Sequence, residues 1–295
     1  MPAALRRLLD RRAQPLSSSA RTLLLTAATL GIAAASWWAW RSSGLALADI
    51  RWWPVVVAFT VGAPVSLLLK AAEFHVAARV AGQRAGRGRS LDVAIVSSAA
   101  NLLPLPGSLL VTVRSLSEDG STYGTAISAG AVPGLAWLGV TGIVGGSAIA
   151  VEGPPVLGGA VVAAGIVAGV AAWVLLRSTA HPVGRARLAV AITAVECGWL
   201  AVSALRLGLA VRALDVSIAP GQALALSVAG ALTVAIGFFP GGLGIREALL
   251  AGLAPLIGLS VDTGILLGSV DRVIWLLFLA LAGSTLSVVR RRRPA

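Results

Sequence analysis

The chain has 295 residues, 57% of them apolar and 12% charged, with a mean hydropathy of +0.88. Soluble domains average about a quarter charged residues, so this composition excludes an ordinary water-soluble fold, which would expose large apolar patches. The net charge of +12, from 24 basic and 12 acidic residues, does not indicate nucleic acid. The arginines punctuate apolar segments and form no stripe with interleaved aromatics, and anionic lipid headgroups are the expected partners.

Five arginines, Arg6, Arg7, Arg11, Arg12 and Arg21, precede the first apolar run at 22–40. Ala33-Ala34-Ala35 resembles a signal-peptide cleavage site, but the run continues through Trp37, Trp38 and Trp40. It reaches the roughly 20 residues of a spanning helix, and the retained anchor is the preferred reading. A second span is predicted over 53–78, followed by Arg79, Arg84, Arg87 and Arg89. The apolar stretch 91–116 is broken by Pro104-Leu105-Pro106-Gly107. A span over 123–150 then meets the uncharged turn Gly153-Pro154-Pro155. The next span runs to 176 and ends at Arg177, His181, Arg185 and Arg187, and another covers 188–211. Residues 221–258 are broken by Pro240-Gly241-Gly242, and a last span over 262–289 ends in Arg290–Arg293.

The positive-inside rule orients these segments. With the N-terminus inside and each broken stretch returning to its side of entry, 17 of the 24 basic residues face inside. Arg41, Arg51, Arg206 and Arg212 then fall outside, and Lys70, Arg246 and Arg272 at membrane depth. Two full crossings in place of the broken hairpins would put the clusters 79–89 and 177–187 on opposite sides. Trp37, Trp38, Trp40, Trp52 and Trp53 flank one outer turn, as an interfacial belt does.

The predicted fold is therefore an all-α polytopic membrane protein of about six full spans plus two re-entrant broken hairpins. A basic cytoplasmic tail (1–21) is followed by a first membrane repeat (22–150), a second (151–289) and a basic tail (290–295). Each half reads span, span, broken hairpin, span. An odd number of crossings per half makes the halves an inverted-topology repeat, an architecture of secondary transporters. The alternative is that Pro and Gly only kink ordinary spans.

Ionisable side chains at membrane depth are costly and are functional candidates by default. In Phe238-Phe239-Pro240-Gly241-Gly242-Leu243-Gly244-Ile245-Arg246-Glu247, Gly241, Gly242 and Gly244 permit a tight turn with exposed N–H groups. A helix starting near Leu243 would aim its positive end at an anion, with Arg246 adding a planar cation. The competing reading is that the glycines serve helix packing and Arg246 pairs with Glu247 or Asp271. The first break echoes this more faintly: Asn101 and Ser108 flank Pro104-Leu105-Pro106-Gly107, and Arg114 follows two turns later. For Asn101 and Ser108, bonding the freed backbone is the favoured role. Lys70 and Glu73 share a helix face and are expected to pair. Glu196 stands alone in its span, while Asp271 and Arg272 are adjacent in the last. Three bases against Glu73, Glu196, Glu247 and Asp271 leave one acid over, either protonated or engaged in a proton-coupled step. Cys197 is the one cysteine, and His75 and His181 are too few and too far apart for a metal site, so no cofactor is expected.

The Pro240–Glu247 stretch, with Gly258, Asp271-Arg272 and Gly283, resembles the lysylphosphatidylglycerol synthase transmembrane (flippase-like) family. Asn101–Gly107 with Arg114 is similar to that family's first-half motif. Family members carry an Arg-x-Gly-Glu-like sequence after the first proline, where this chain has Pro106-Gly107-Ser108-Leu109. The resemblance covers roughly residues 20–289. It implies movement of a lipid with a polar headgroup, an anionic phospholipid or a polyprenyl-phosphate-linked lipid, with Pro104, Asn101, Arg114, Gly241, Gly242, Gly244, Arg246, Glu247, Asp271 and Arg272 as headgroup contacts. Some members fuse this region to a soluble aminoacyl-transferase domain. With five residues after Arg290, no such domain, and so no lysyl-phosphatidylglycerol synthesis, is expected here. Two other readings stay open. One is a helper subunit for a glycosyltransferase or acyltransferase. The other is an intramembrane enzyme, for which His75 is the only histidine within a span and spacing gives it no nucleophile or acid partner. Homo-oligomerisation is also open.

The arginine distribution makes a topological prediction: both termini, 79–89 and 177–187 face the cytoplasm. In a variant lacking Cys197, a cysteine at position 87 should resist a membrane-impermeant thiol reagent in intact cells. Strong labelling there would reverse the orientation.

Overall fold

The computed structural model describes residues 34, 36–42, 44, 47–101, 107–179, 184–236 and 244–291. Most of the first predicted span, and the two breaks with Pro104, Gly241 and Gly242, lie outside the described residues. The described chain is all helical. Its helices are α1 (Trp52–Val80), α2 (Arg87–Ala100), α3 (Gly107–Glu118), α4 (Tyr123–Glu152), α5 (Pro155–Thr179), α6 (Arg185–Ala213), α7 (Pro220–Ile236), α8 (Ile245–Leu253) and α9 (Val261–Arg291). Residues 36–42 are also helical and dock on α9, where the Ser36 and Ser269 hydroxyls lie 2.7 Å apart.

Five of these helices, α1, α4, α5, α6 and α9 through Val288, are long and apolar enough to cross a membrane. They match five of the predicted spans to within a few residues. Their exposed surface is apolar: α5 presents Val156, Val167, Val170 and Val174 outward, as a lipid-facing helix does. With so little polar surface, close packing must come from shape. Gly139, Gly142 and Gly146 line one face of α4. A Cβ on Gly142 would sit 2.7 Å from the Gly165 Cα of α5, so the two backbones touch. Thr122 starts α4 by accepting from the Thr125 N–H, and α4 ends at Gly153.

The described parts of the two broken stretches each give a pair of packed helices. In the first, α2 and α3 pack together with their ends tied. At the open end Arg89 bonds Asp119 at 2.9 Å and Gln83 donates to the Leu116 carbonyl. At the closed end Asn101 Oδ1 accepts from the Ser108 N–H at 2.9 Å, the backbone-satisfying role expected of it. In the second, α7 packs on α8, and Gln222 at the start of α7 donates to the Ile257 carbonyl just past α8. At about 1.5 Å per residue, α2, α3, α7 and α8 are each shorter than the roughly 30 Å hydrocarbon layer.

Val80, Ala85, Leu116, Ala126 and Leu176 share one buried cluster, so the basic segment 79–89 gathers at one end of the bundle with Arg177 and Arg185, the latter donating to the Arg177 carbonyl at 2.9 Å. At the other end, Arg51 reaches Asp215 at 2.6 Å and donates its N–H to the Ala213 carbonyl, joining the start of α1 to the end of α6.

The α4–α5 contact predicts opposite effects for two glycine changes. Gly142→Ala should lower the melting temperature in detergent, since overpacking typically costs about 1–3 kcal/mol. Gly159→Ala, where a Cβ meets nothing within 4 Å, should leave it unchanged or raise it through a helix-propensity gain of up to about 1 kcal/mol. Equal melting temperatures for the two variants would contradict backbone contact at Gly142.

Candidate functional site

A proline sets up the site. Pro64 lacks an N–H and its ring crowds the carbonyl one turn earlier, and immediately before it α1 widens into a π-helical turn over Ala58–Gly62. Such turns recur at functional sites. Gly62 sits at its end, and a Cβ there would come within 2.8 Å of the Arg206 Cγ. The missing side chain makes room for the Arg206 stem. Ser66 donates to the Gly62 carbonyl at 2.8 Å and accepts from Arg206 Nη1 at 3.1 Å. The Trp275 ring lies 5.1 Å from the same guanidinium, a cation–π contact that strengthens away from water.

Arg206 points at Asp271 on α9, whose side chain is 2% exposed. Asp271 Oδ1 lies 2.7 Å from Arg206 Nη2, as an ion pair without aligned hydrogen-bond geometry. Its Oδ2 lies 2.7 Å from Arg246 Nη2 on α8. One residue on, Arg272 Nε donates to Glu247 Oε1 at 2.5 Å and Nη2 to Oε2 at 3.3 Å. Glu247 Oε2 also accepts from the Gly244 N–H at 3.0 Å, capping α8. Gly244 has φ +83°, a conformation open to glycine at no steric cost. Gly268 brings α9 close to α8: a Cβ there would lie 2.9 Å from Leu250 Cδ1. Helices α6, α8 and α9 are thus joined by three guanidiniums and two carboxylates, a net charge of +1 among mostly buried groups. Arg246 is the most open of the three arginines, at 22% side-chain exposure.

The structure places the sequence candidates unevenly. Arg246, Glu247, Asp271 and Arg272 come together, and Arg246 takes the Asp271 partner that was one of its two alternatives. Gly244 serves the α8 cap, and its N–H is held by Glu247 rather than facing outward. Arg114 stands elsewhere, at the base of the first hairpin. It bonds Glu118 at 2.8 Å beside a cleft lined by Leu110, Val113, Ser117 and Tyr123. The bond from Arg114 holds the Glu118 carboxyl below the usual range and raises the guanidinium above its own. Lys70 pairs with Glu73 as expected, at 2.8 Å to each oxygen. Among the described residues no group of three or more His, Cys, Asp or Glu side chains is arranged to hold a metal.

Arg206 corrects the sequence reading, which counted it with Arg212 among the basic residues on the outside although the predicted span runs to 211. The helix runs on to Ala213, so Arg212 is exposed at its end while Arg206 lies about two turns inside and is 7% exposed. Its partners Ser66, Trp275 and Asp271 come from distant parts of the chain. The excess acid at depth was the signal of a missing base. With Arg206 included, the deep charges number four bases and four acids. Balance in number is not balance in place, because Asp271 takes two arginines and Glu196 has none.

No protein-family model matches the chain, and no curated protein matches it in sequence. The fold and the site define a multi-pass α-helical membrane protein with an ion-pair cluster buried among its helices.

The Arg272–Glu247 pair predicts non-additive mutations. Arg272→Ala should destabilise by about 3–5 kcal/mol, the usual cost of stranding a buried charge. Combining it with Glu247→Ala should cost less than the sum of the single changes by about 0.5–3 kcal/mol. Additive losses in reversible unfolding would place the stabilisation elsewhere.

Proposed function

We propose that this protein moves a lipid with an anionic headgroup across the plasma membrane and catalyses no bond chemistry. The observation that carries the reading is the net positive charge of the Arg206–Asp271–Arg246 and Arg272–Glu247 cluster. A surplus guanidinium at this depth is costly without a counter-charge, and a phosphate headgroup supplies one. Arg246 is its contact. It is the most accessible of the three, and its planar fork has five N–H donors, of which Asp271 engages one end. A phosphate on Arg246 competes with Asp271, loosens α8 from α9 and leaves Asp271 to Arg206. Differential contact of this kind is what allows a ligand to shift a conformational equilibrium.

The pattern of helix contacts supports re-entrant hairpins in an inverted repeat. Let α1, α2, α3 and α4 correspond to α6, α7, α8 and α9. The pairs α1–α2, α3–α4 and α1–α4 pack together, and so do their counterparts α6–α7, α8–α9 and α6–α9. Between halves the contacts are reciprocal: α4 packs on α7, and α9 on α2. Helix α5 lies on α4 as the helix at 36–42 lies on α9. Each hairpin has its ends tied at its base. In this arrangement the basic end of the bundle is the cytoplasmic one, the side expected for both termini, which lie outside the described residues. The resemblance of Pro240–Glu247 to the flippase-like family agrees with lipid movement, and the headgroup belongs to an anionic phospholipid or a polyprenyl-phosphate-linked lipid.

Arg246→Lys keeps a charge for Asp271 but loses the planar fork. Reconstituted with a fluorescent anionic phospholipid and, separately, a polyprenyl-phosphate analogue, the variant should fold and move headgroups at least tenfold more slowly than wild type. The faster wild-type substrate identifies the lipid class. Wild-type rates in the variant for both lipids would remove the guanidinium from transport. A wild type that moves neither would instead favour a helper subunit of a membrane glycosyltransferase or acyltransferase.

A further inference from the structure

A second polar group lies further along α1 and α6 and takes no part in the arginine cluster. Glu196 sits near the middle of α6 and is 1% exposed. Its Oε1 is buried without a hydrogen-bond partner, and so is the Trp199 Nε1 one turn further along the helix. Across the interface with α1, Lys70 is committed to Glu73, donating to both its oxygens at 2.8 Å. Both of these charges act on Glu196. The helices are close here, since a Cβ on Gly198 would lie 3.1 Å from Leu69 Cδ2.

Among the described residues, no other nearby element offers Glu196 a counter-charge. Helix α4 carries no charged residue before Glu152, α5 none before Arg177, and α7 none at all. Asp271 and Arg272 of α9 are engaged with Arg206, Arg246 and Glu247. If all three groups were ionised, Lys70, Glu73 and Glu196 would sum to −1 in a medium that penalises unpaired charge. One proton on a carboxyl brings the sum to zero and converts an unbonded acceptor into a donor.

We propose that Lys70, Glu73 and Glu196 form a one-proton binding site inside the membrane, with Glu196 carrying the proton and the Lys70–Glu73 pair setting how tightly it is held. Loading is acid–base chemistry alone. A proton from solvent adds to a carboxylate oxygen to form an O–H bond, the group charge goes from −1 to 0, and the same proton leaves on release. The site does not depend on the lipid-transport reading. It shares α1 and α6 with the Ser66–Arg206 contact, Ser66 lying one helical turn from Lys70.

Infrared spectroscopy of the purified protein, titrated with pH in ordinary and heavy water, reads the site directly through the carbonyl stretch of a protonated carboxylic acid. Wild type should show such a band at neutral pH, shifted in heavy water and lost on alkalinisation. Glu196→Gln, an isosteric change, should abolish it. Glu73→Gln removes a like charge and leaves Glu196 intact, so the band should vanish at a lower pH than in wild type. The proposal is overturned by a wild type without the band at neutral pH, by a folded Glu196→Gln protein that retains it, or by a Glu73→Gln titration that does not move. The Glu73→Gln arm keeps the test decisive if Glu196→Gln fails to fold.

Discussion

The Asp271 carboxylate, closed off from solvent and held between two guanidiniums, is the contact on which the arrangement of the second half depends. Helices α6, α8 and α9 meet there. Arg206 reaches it from α6 and Arg246 from α8, each at 2.7 Å. In a lipid environment apolar side chains give helices little preference for one neighbour over another, since tails are as apolar as Leu. A buried carboxylate with two partners does give that preference. Breaking either contact leaves a charge in low dielectric, so the three helices hold one arrangement.

The features that make the cluster affordable are local and small. The π-helical turn before Pro64 and the absence of a side chain at Gly62 let the Arg206 stem pass against α1. Ser66 and Trp275 then occupy guanidinium surface that Asp271 does not. On the other side, Gly264 and Gly268 let α9 come up to α8 closely enough for Arg272 to reach Glu247. The carboxylate of Glu247 does two jobs, since the N–H it caps is one of the donors left open at a helix start. The start of α8 is thus occupied by a resident carboxylate, and Arg246 is the more open side chain beside it.

The two polar groups divide along α6. Glu196 and Arg206 are ten residues apart, about 15 Å of helix, and each faces α1. The group at Arg206 carries surplus positive charge. The Lys70, Glu73 and Glu196 group carries surplus negative charge unless a proton is bound. Opposite surpluses at two points of one helix pair are more than packing requires, since the α4–α5 backbones approach closely at glycines without any charge.

Much of the helical framework was legible in the sequence, because spanning length and hydropathy are properties of contiguous residues. Five long apolar helices begin and end within a few residues of their expected limits, while the breaks at Pro104 and Pro240 lie outside the described residues. The Lys70–Glu73 pair was equally readable, since three residues along a helix fix a shared face. Arg206 was not. Hydropathy placed it near the end of a span, and its depth was decided by where α6 stops and by Ser66, Trp275 and Asp271, which lie 65 to 140 residues away. The partner of Arg246 was likewise left between Glu247 and Asp271 until the approach of α9 chose the latter. By itself the sequence determined which segments are helical and apolar, because those depend on neighbours along the chain. Which charges meet was decided only by tertiary structure, because ion-pair energy depends on distances of a few ångströms between helices that hydropathy does not encode.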